Sequence, residues 1–339
     1  METTEEKSRE TVVETVDERV VLEVEELRTH FVTRWGLVKA VDGVSFQLHA
    51  GETLGLVGES GCGKSVTALS IMRLVPSPPG QIVGGRVLLE GNDILQADEH
   101  EMAQLRGSKI AMILQDPMTA LNPVLNITDQ ASEALRIHKG LSGKDLKEQV
   151  IAMLRRVRIP APEIRIRDYP HQLSGGMRQR VVGAIGISCD PLILIADEPT
   201  TSLDATIQAQ YLRLLKDLQQ QTGTALVFIT HDFGIVAKMC DRVAVMYAGR
   251  IVEQGDVRQI FDNPSHPYTE ALINSVPKLE ERIDRLYAIE GQPPALWDLP
   301  GGCSFAPRCP AVHDRCHEEY PSLLTVGDRH VAACWLRDS

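Results

Sequence analysis

Apolar side chains recur at about every second position through "VVLEVEELRTHFV", "AVDGVSFQLHA" and "ETLGLVG". That is the period of a strand, so strands are predicted over residues 21–57. The period becomes helical at "KSVTALSIMRLV", and a glycine-rich loop, "GESGCGKS", joins the two patterns. From about 120 to 185 the chain is largely helical and more charged, as in "KDLKEQVIAMLRRVRI" and "GGMRQRVVGAIGIS". Strand character returns in "LILIAD" and "TALVFIT", with the helix-like "IQAQYLRLLKDLQQQ" between them. This alternation predicts an α/β fold with a parallel core sheet and an inserted helical lobe. After about Gly255 proline becomes frequent ("NPSHPYTEAL", "SVPK", "GQPPALWDLPGG"), which marks a smaller C-terminal module over 256–339.

Composition narrows this picture. At 339 residues and 43% hydrophobic, the chain can bury a large core in about two domains. Its longest apolar runs are strand-sized, such as Leu192–Ala196 between Asp190 and Asp197, too short to cross a bilayer. The opening "METTEEKSRETVVETVDER" is acidic and polar, neither signal peptide nor anchor, and residues 1–20 read as a disordered leader. A cytosolic setting follows, where clustered cysteines point to metal rather than disulfide. A net charge of −11 argues against a surface that coats nucleic acid.

The glycine loop carries phosphate chemistry. Gly58–Ser65 fits G-x-x-x-x-G-K-[ST] between a predicted strand and a predicted helix, the setting the motif needs. Gly58, Ser60, Gly61, Cys62 and Gly63 curl the backbone so that N–H groups face an anion. Lys64 can reach the β/γ-phosphates, the Ser65 hydroxyl can ligate Mg²⁺, and Val66 follows in the helix. "LILIADE" is a buried strand ending in Asp197 and Glu198. A carboxylate pair at the mouth of an apolar strand needs partners, and Mg²⁺ with water would supply them. Asp197 would hold the metal shell and Glu198 would act as general base toward an attacking water. Leu173, Ser174, Gly175, Gly176 and Met177 form a second turn that opens a helix. It has no nucleophile and no base. Alone, it reads as a helix start capped by Ser174, or as a second anion site.

In order and spacing, these motifs resemble the nucleotide-binding subunit of an ABC transporter over residues of about 21–255. Gln115 in "MILQDP", "SLD" at Ser202–Asp204 and His231 in "FITHD" complete the likeness. The resemblance implies a P-loop NTPase (RecA-like) core, a helical subdomain over about 116–185, and a head-to-tail dimer. Ser174–Gly176 would then bind the γ-phosphate held on the partner's loop. It also implies that Gln115 touches Mg²⁺ and the lytic water, that His231 contacts the γ-phosphate and holds Glu198 in register, and that Asp204 bridges the dimer. Trp35, 23 residues before Gly58, falls where the family often stacks an aromatic on adenine. "DPMTALNP", "LSGGMRQR", "ADEPTTSLDATIQAQ" and "NPSHPYTEAL" are similar to the ATPase subunits of bacterial oligopeptide/dipeptide (nickel/peptide) importers. The methionine after "LSGG" resembles the first, D-type, of two paralogous subunits. "GAIGIS" and Ala205 depart from that branch's usual text without touching a phosphate role. The partners implied are a paralogous ATPase subunit, two transmembrane permease subunits and an extracytoplasmic solute-binding protein. The protein would sit peripherally on the cytoplasmic face of the membrane. A soluble ABC-type ATPase acting on nucleic acid or ribosomes is the competing function. Those families usually carry two cassettes or a coiled-coil insertion, and this chain has one cassette and no sustained heptads.

Four of the seven cysteines, Cys303, Cys309, Cys316 and Cys334, lie in the tail with spacing C-x₅-C-x₆-C-x₁₇-C. That matches no C-x₂-C zinc ribbon. The tail has few apolar groups for a core, and four thiolates around a metal would staple it. Composition does not choose between Zn²⁺ and an iron–sulfur cluster. The resemblance to the peptide-importer branch implies a [4Fe–4S] cluster, with Zn²⁺ second and His313, His317 and His330 as substitute ligands. Replacing the cysteines should loosen the tail and spare nucleotide binding.

Overall fold

The computed structural model describes residues 19–276 and 287–338; residues 1–18 of the predicted leader lie outside them. Two long strands, β1 (Val20–Thr33) and β2 (Gly36–His49), pair antiparallel and are followed by β3 (Thr53–Val57) and helix α1 (Lys64–Ile71). β4 (Gly80–Leu89) and the short β5 (Asn92–Asp93) return to β1, giving a four-stranded sheet in the order β2-β1-β4-β5. Helix α2 (Glu99–Leu105) and β6 (Ile110–Ile113) precede the helical lobe. The lobe comprises α3 (Pro117–Ala120), α4 (Ile127–Lys139), α5 (Gly143–Arg156), α6 (Pro162–Arg165) and α7 (Gly175–Gly186). The chain then re-enters the core as β7 (Ile193–Asp197), α8 (Ala205–Thr222), β8 (Ala225–Thr230), α9 (Phe233–Met239), β9 (Arg242–Tyr247) and β10 (Arg250–Asp256). The C-terminal extension supplies α10 (Val257–Asp262), α11 (Pro267–Asn274), α12 (Asp314–Glu318), β11 (Leu324–Gly327) and β12 (His330–Ala332).

The second sheet has eight strands in the order β11-β12-β10-β9-β3-β8-β7-β6. Its β6, β7, β8, β3 and β9 run parallel, and every residue of β3, β7, β8 and β9 is buried. That is why these strands read as continuous apolar runs: a parallel strand is covered on both faces. β1, β2 and β4 lay their apolar faces against this sheet through Leu22, Val44, Leu54 and Ile229, which share one core cluster. A second cluster joins the helical lobe to the other face of the sheet through Val181, Leu194, Tyr211 and Phe228. Gly183 in α7 belongs to the "GAIGIS" departure. A Cβ there would stand 2.7 Å from the buried Tyr211 hydroxyl, so the glycine makes room for that ring at a helix-propensity cost of roughly 1 kcal/mol.

The extension is stitched to the cassette. β12 pairs antiparallel with β10, and a third cluster packs Tyr268, Leu272 and Phe305 against Val57, Val245 and Tyr247. Glu253, fully buried on β10, accepts from the backbone N–H groups of Ser265 (2.6 Å) and His266 (2.9 Å). His330 Nε2 lies 2.7 Å from the same carboxylate. The Nε2 of His330 is therefore engaged by Glu253. Among the described residues, no helix is long and apolar enough to cross a membrane.

Candidate functional site

β3 leads directly into the glycine loop, and α1 begins where the loop ends. Gly58 has φ +154° and Gly63 φ +110°; a Cβ on either would stand 2.1 or 2.2 Å from a backbone carbonyl oxygen. Only glycine fits at these two positions. The helix start carries no side-chain cap and opens beside a cleft of about 950 Å³, as an anion-binding helix N-terminus would. Ser60, Gly61, Lys64, Ser65 and Val66 line that cleft. Cys62 instead packs into the core, and burial raises its thiol above the ordinary range. Lys64 Nζ, almost fully buried, donates to the carbonyl oxygens of Gly58 (2.8 Å) and Glu59 (3.0 Å). Ser65 Oγ donates to Asp197 Oδ1 at 3.0 Å. Burial raises the Asp197 carboxyl; the Ser65 bond opposes that rise and the neighbouring Glu198 adds to it. Ser65 and Asp197 form a hard-oxygen pair of the kind Mg²⁺ takes, and the cation would offset the cost of burying that carboxylate.

Glu198 follows Asp197 in the left-handed region, φ 43°, unusual for a residue with a Cβ. Its carboxylate is held from three sides. Gln115 Nε2 donates to Oε2 at 3.0 Å, Thr201 Oγ1 donates to Oε2 at 3.0 Å, and His231 Nδ1 lies 3.3 Å from Oε1. Gln115, Glu198 and His231 line the same cleft as Lys64 and Ser65, although they come from separate loops after β6, β7 and β8. Thr201 escaped the sequence reading. Its position three residues after Glu198, within "DEPTTSLD", was the available signal.

The second turn faces elsewhere. Ser174 N-caps α7, its Oγ accepting from Met177 N at 3.4 Å, and Ser174 and Gly175 are exposed. Leu173 is buried and anchors the turn. Gly176 lies against Ile207 of α8, where a Cβ would approach to 2.8 Å. Ser174, Gly175, Gly176 and Met177 share a separate cleft with Ser202 and Asp204. Asp204 N-caps α8, accepting from the N–H groups of Thr206 (3.1 Å) and Ile207 (3.0 Å). Within one chain, this surface lines a different cleft from Lys64 and Glu198.

Trp35 is 62% exposed, and its ring stacks on Trp297 of the extension at 6.0 Å between centroids and 23° between planes. It is not among the residues that line the phosphate cleft; Phe31, Thr33 and Val38 of the same hairpin are. The extension contributes Leu272, Tyr287, Ile289 and Leu296 to that lining, which no motif in the sequence announced.

The four tail cysteines are brought to one locus. Cys303 N donates to Cys316 O at 2.8 Å. Burial pushes the Cys303 thiol up to about 11, with Cys316 and Cys334 adding to the rise. Cys309 and Cys334 are raised in the same way, by burial first and then by neighbouring thiols. Clustered thiols that resist ionisation are a donor set a metal would relieve, since a cation reverses both effects. Among the described residues, however, no group of three or more His, Cys, Asp or Glu side chains stands at metal-holding distances. The chemistry of the set fits a four-thiolate shell, and the thiols are not drawn into a closed one.

Comparison with known proteins agrees with this geometry. Residues 41–201 match the family described as "ABC transporter", and residues 252–316 match "Oligopeptide/dipeptide transporter, C-terminal region". The chain is 52% identical over 317 residues to a probable peptide ABC transporter ATP-binding protein, y4tR, of Sinorhizobium fredii (strain NBRC 101917 / NGR234), covering 93% of this chain and 95% of that one. It is 51% identical over 318 residues to the dipeptide transport ATP-binding protein DppD of Bacillus subtilis (strain 168), covering 94% and 95%. Among solved structures, the dimeric post-hydrolysis state of the ATP-binding cassette MJ0796 bound to ADP and Pi aligns with TM-score 0.63 at 25% identity, over 70% of this chain and 99% of that one. The chain belongs to the ABC transporter family, and it is an ATP-hydrolysing subunit of that family.

Proposed function

We propose that the chain is the motor subunit of a peptide importer, working as a head-to-tail pair of cassettes beneath two membrane permease subunits. One observation carries the reading. Glu198 is held by Gln115, Thr201 and His231 in the cleft that the phosphate loop faces. A carboxylate so placed can take a proton from a water attacking the γ-phosphate. Lys64 and the N–H groups opening α1 orient the phosphates, and Ser65, Asp197 and Gln115 would hold Mg²⁺, which neutralises charge on the phosphate oxygens when bound. His231 keeps the base in register, and the hairpin residues Phe31 and Val38, which line the cleft where Trp35 does not, would face the adenine. Ser174–Met177 complete the partner's site, with Asp204 at the seam. This reading is supported by the dimeric state of MJ0796 and by a surface that has anion-binding form and no catalytic group of its own.

Peptide cargo is supported by the names of the relatives y4tR and DppD. The second cassette is a paralogue, a solute-binding protein delivers cargo from outside the cell, and the subunit lies on the cytoplasmic face. Cys303, Cys309, Cys316 and Cys334 hold a [4Fe–4S] cluster that pins the tail, with Zn²⁺ as the alternative; the backbone bond that brings Cys303 beside Cys316 supports this. Purification from membrane extract in mild detergent should bring down two hydrophobic permeases and a second ATPase. Adding peptide-loaded binding protein to the reconstituted complex should raise ATP hydrolysis. A subunit recovered without permeases, on RNA or ribosomes, would overturn the importer reading. Anaerobic preparations should be brown and contain acid-labile sulfide; colourless protein with one zinc per chain would replace the cluster by zinc.

A further inference from the structure

The phosphate loop is gripped from outside the cassette. Arg308, next to Cys309 and with its side chain nearly fully buried, reaches the loop residue Glu59 across 249 positions of sequence. Its Nη1 donates to Glu59 Oε2 at 2.7 Å and its Nη2 to Oε1 at 3.0 Å, a two-pronged pair. The guanidinium is itself held in place: Nε donates to the Glu290 carbonyl at 3.0 Å and Nη1 to Tyr247 Oη at 3.3 Å. The backbone N–H of Glu59 donates to the hydroxyl of Tyr268, a buried residue of α11, at 2.8 Å. The Glu59 carbonyl accepts from Lys64. Every polar group of Glu59 is thus committed, two of them to the extension.

Glu59 sits between Gly58, whose φ of +154° no other residue would tolerate well, and the cleft-lining Ser60. A loop built on glycines is cheap to curl and equally cheap to uncurl. A planar fork on a fixed carboxylate restrains both the position and the orientation of that loop entry, which a lysine could not do. We propose that Arg308 is a positioning residue for ATP: through Glu59 it holds the phosphate loop in its anion-binding form, so that the tail carrying the cysteines sets nucleotide affinity. The inference rests on the ATPase reading above. It gives the tail a route to the nucleotide that the cysteine pattern alone does not contain, so loosening the tail at its cysteines would weaken nucleotide binding rather than spare it.

The test is binding of Mg²⁺-ATP to the full-length chain, together with KM and kcat of hydrolysis in the assembled transporter. Arg308→Gln and Glu59→Gln should each weaken ATP binding by roughly 5- to 20-fold, raise KM in proportion, and leave kcat within about twofold. The double variant should be no weaker than the poorer single, because both remove one contact. Arg308→Lys keeps the charge and the stem and loses the fork; it should fall between wild type and Arg308→Gln, and it provides the reading if Arg308→Gln does not fold. Unchanged ATP affinity in a folded Arg308 variant, or losses that add across the two sites, would overturn the proposal. A wild-type chain that bound no ATP would instead overturn the ATPase reading itself.

Discussion

Two helices in this molecule open on an anion-binding turn, and they differ in what surrounds them. At α1 the start is uncapped, the following lysine is buried, and a carboxylate held by three partners lines the same cleft. At α7 the start is capped by its own Ser174 and lies exposed, and the Asp204 carboxylate in its cleft is engaged in capping α8. On the function proposed above, the first is a site with chemistry and the second a surface completed only against a partner cassette. A helix N-terminus therefore says little by itself. What decides its role is whether charged groups converge on it from separate strands.

The strongest way to break the contrast is to remove the charge at α1. Lys64→Ala should weaken ATP binding by roughly a hundredfold or more, measured by equilibrium titration, because the buried loop loses its cation. Wild-type affinity in that variant would mean that α1 is no more of a nucleotide site than α7. Next in size, Glu198→Gln should retain ATP and lose about 10²–10⁴ in hydrolysis rate, leaving a long-lived closed dimer visible by gel filtration. Turnover equal to wild type in the assembled transporter would remove Glu198 from the role of base.

Ser174 separates the two helices more finely. Ser174→Ala should leave ATP binding to a single chain unchanged and lower hydrolysis only in the dimer, beyond the loss of about 0.5 kcal/mol for a long, exposed cap. In a heterodimer, placing the Ser174 and phosphate-loop changes on opposite chains disables one composite site twice; placing them on one chain disables two sites. Equal residual activity in the two arrangements would argue against a site completed in trans.

A last, indirect effect concerns what braces α1 and not α7. His266 N-caps α11, its Nδ1 accepting from Tyr268 N at 3.0 Å, and the same helix offers the Tyr268 hydroxyl to Glu59. Burial lowers the His266 pKa from 6.5 to about 4, the Glu253 carboxylate opposing. The folded-state value lies below the unfolded one, so the stability is whole above about pH 6.5 and is lost as pH falls toward 4. Melting should therefore drop across that window by up to roughly 2–3 kcal/mol of stability, with ATP affinity falling alongside it. His266→Asn, which keeps an acceptor at the cap, should flatten the pH dependence; an unchanged slope would place its origin elsewhere.

Much of the cassette was legible because its signals are local. Gly58–Ser65, Ser174–Met177 and Asp197–Glu198 each pack their chemistry into a few consecutive residues, and the parallel strands announce themselves as unbroken apolar runs. The pairing of β1 with β2 and β4, interrupted by register shifts, left no comparable trace. β12 is three residues long, too short for any period to show. The Arg308–Glu59 pair and the Tyr287 lining join segments far apart in sequence, and nothing in either segment's text names the other. Trp35 illustrates the same limit, since the sequence could not show that Trp297 would stack beside its ring.

The pairing of β12 with β10 also bears on solubility. β10 is mostly buried, with His330 pairing its Glu253 from 77 residues downstream. During synthesis at about 5–20 residues per second, β10 would wait roughly 4–15 seconds with that side open. An open apolar edge is a template for pairing with another chain. Once made, β12 covers it and leaves β11 outermost, only four residues long and exposed at every second position. Short, half-polar edges recruit neighbours poorly, so the tail closes the cassette against aggregation.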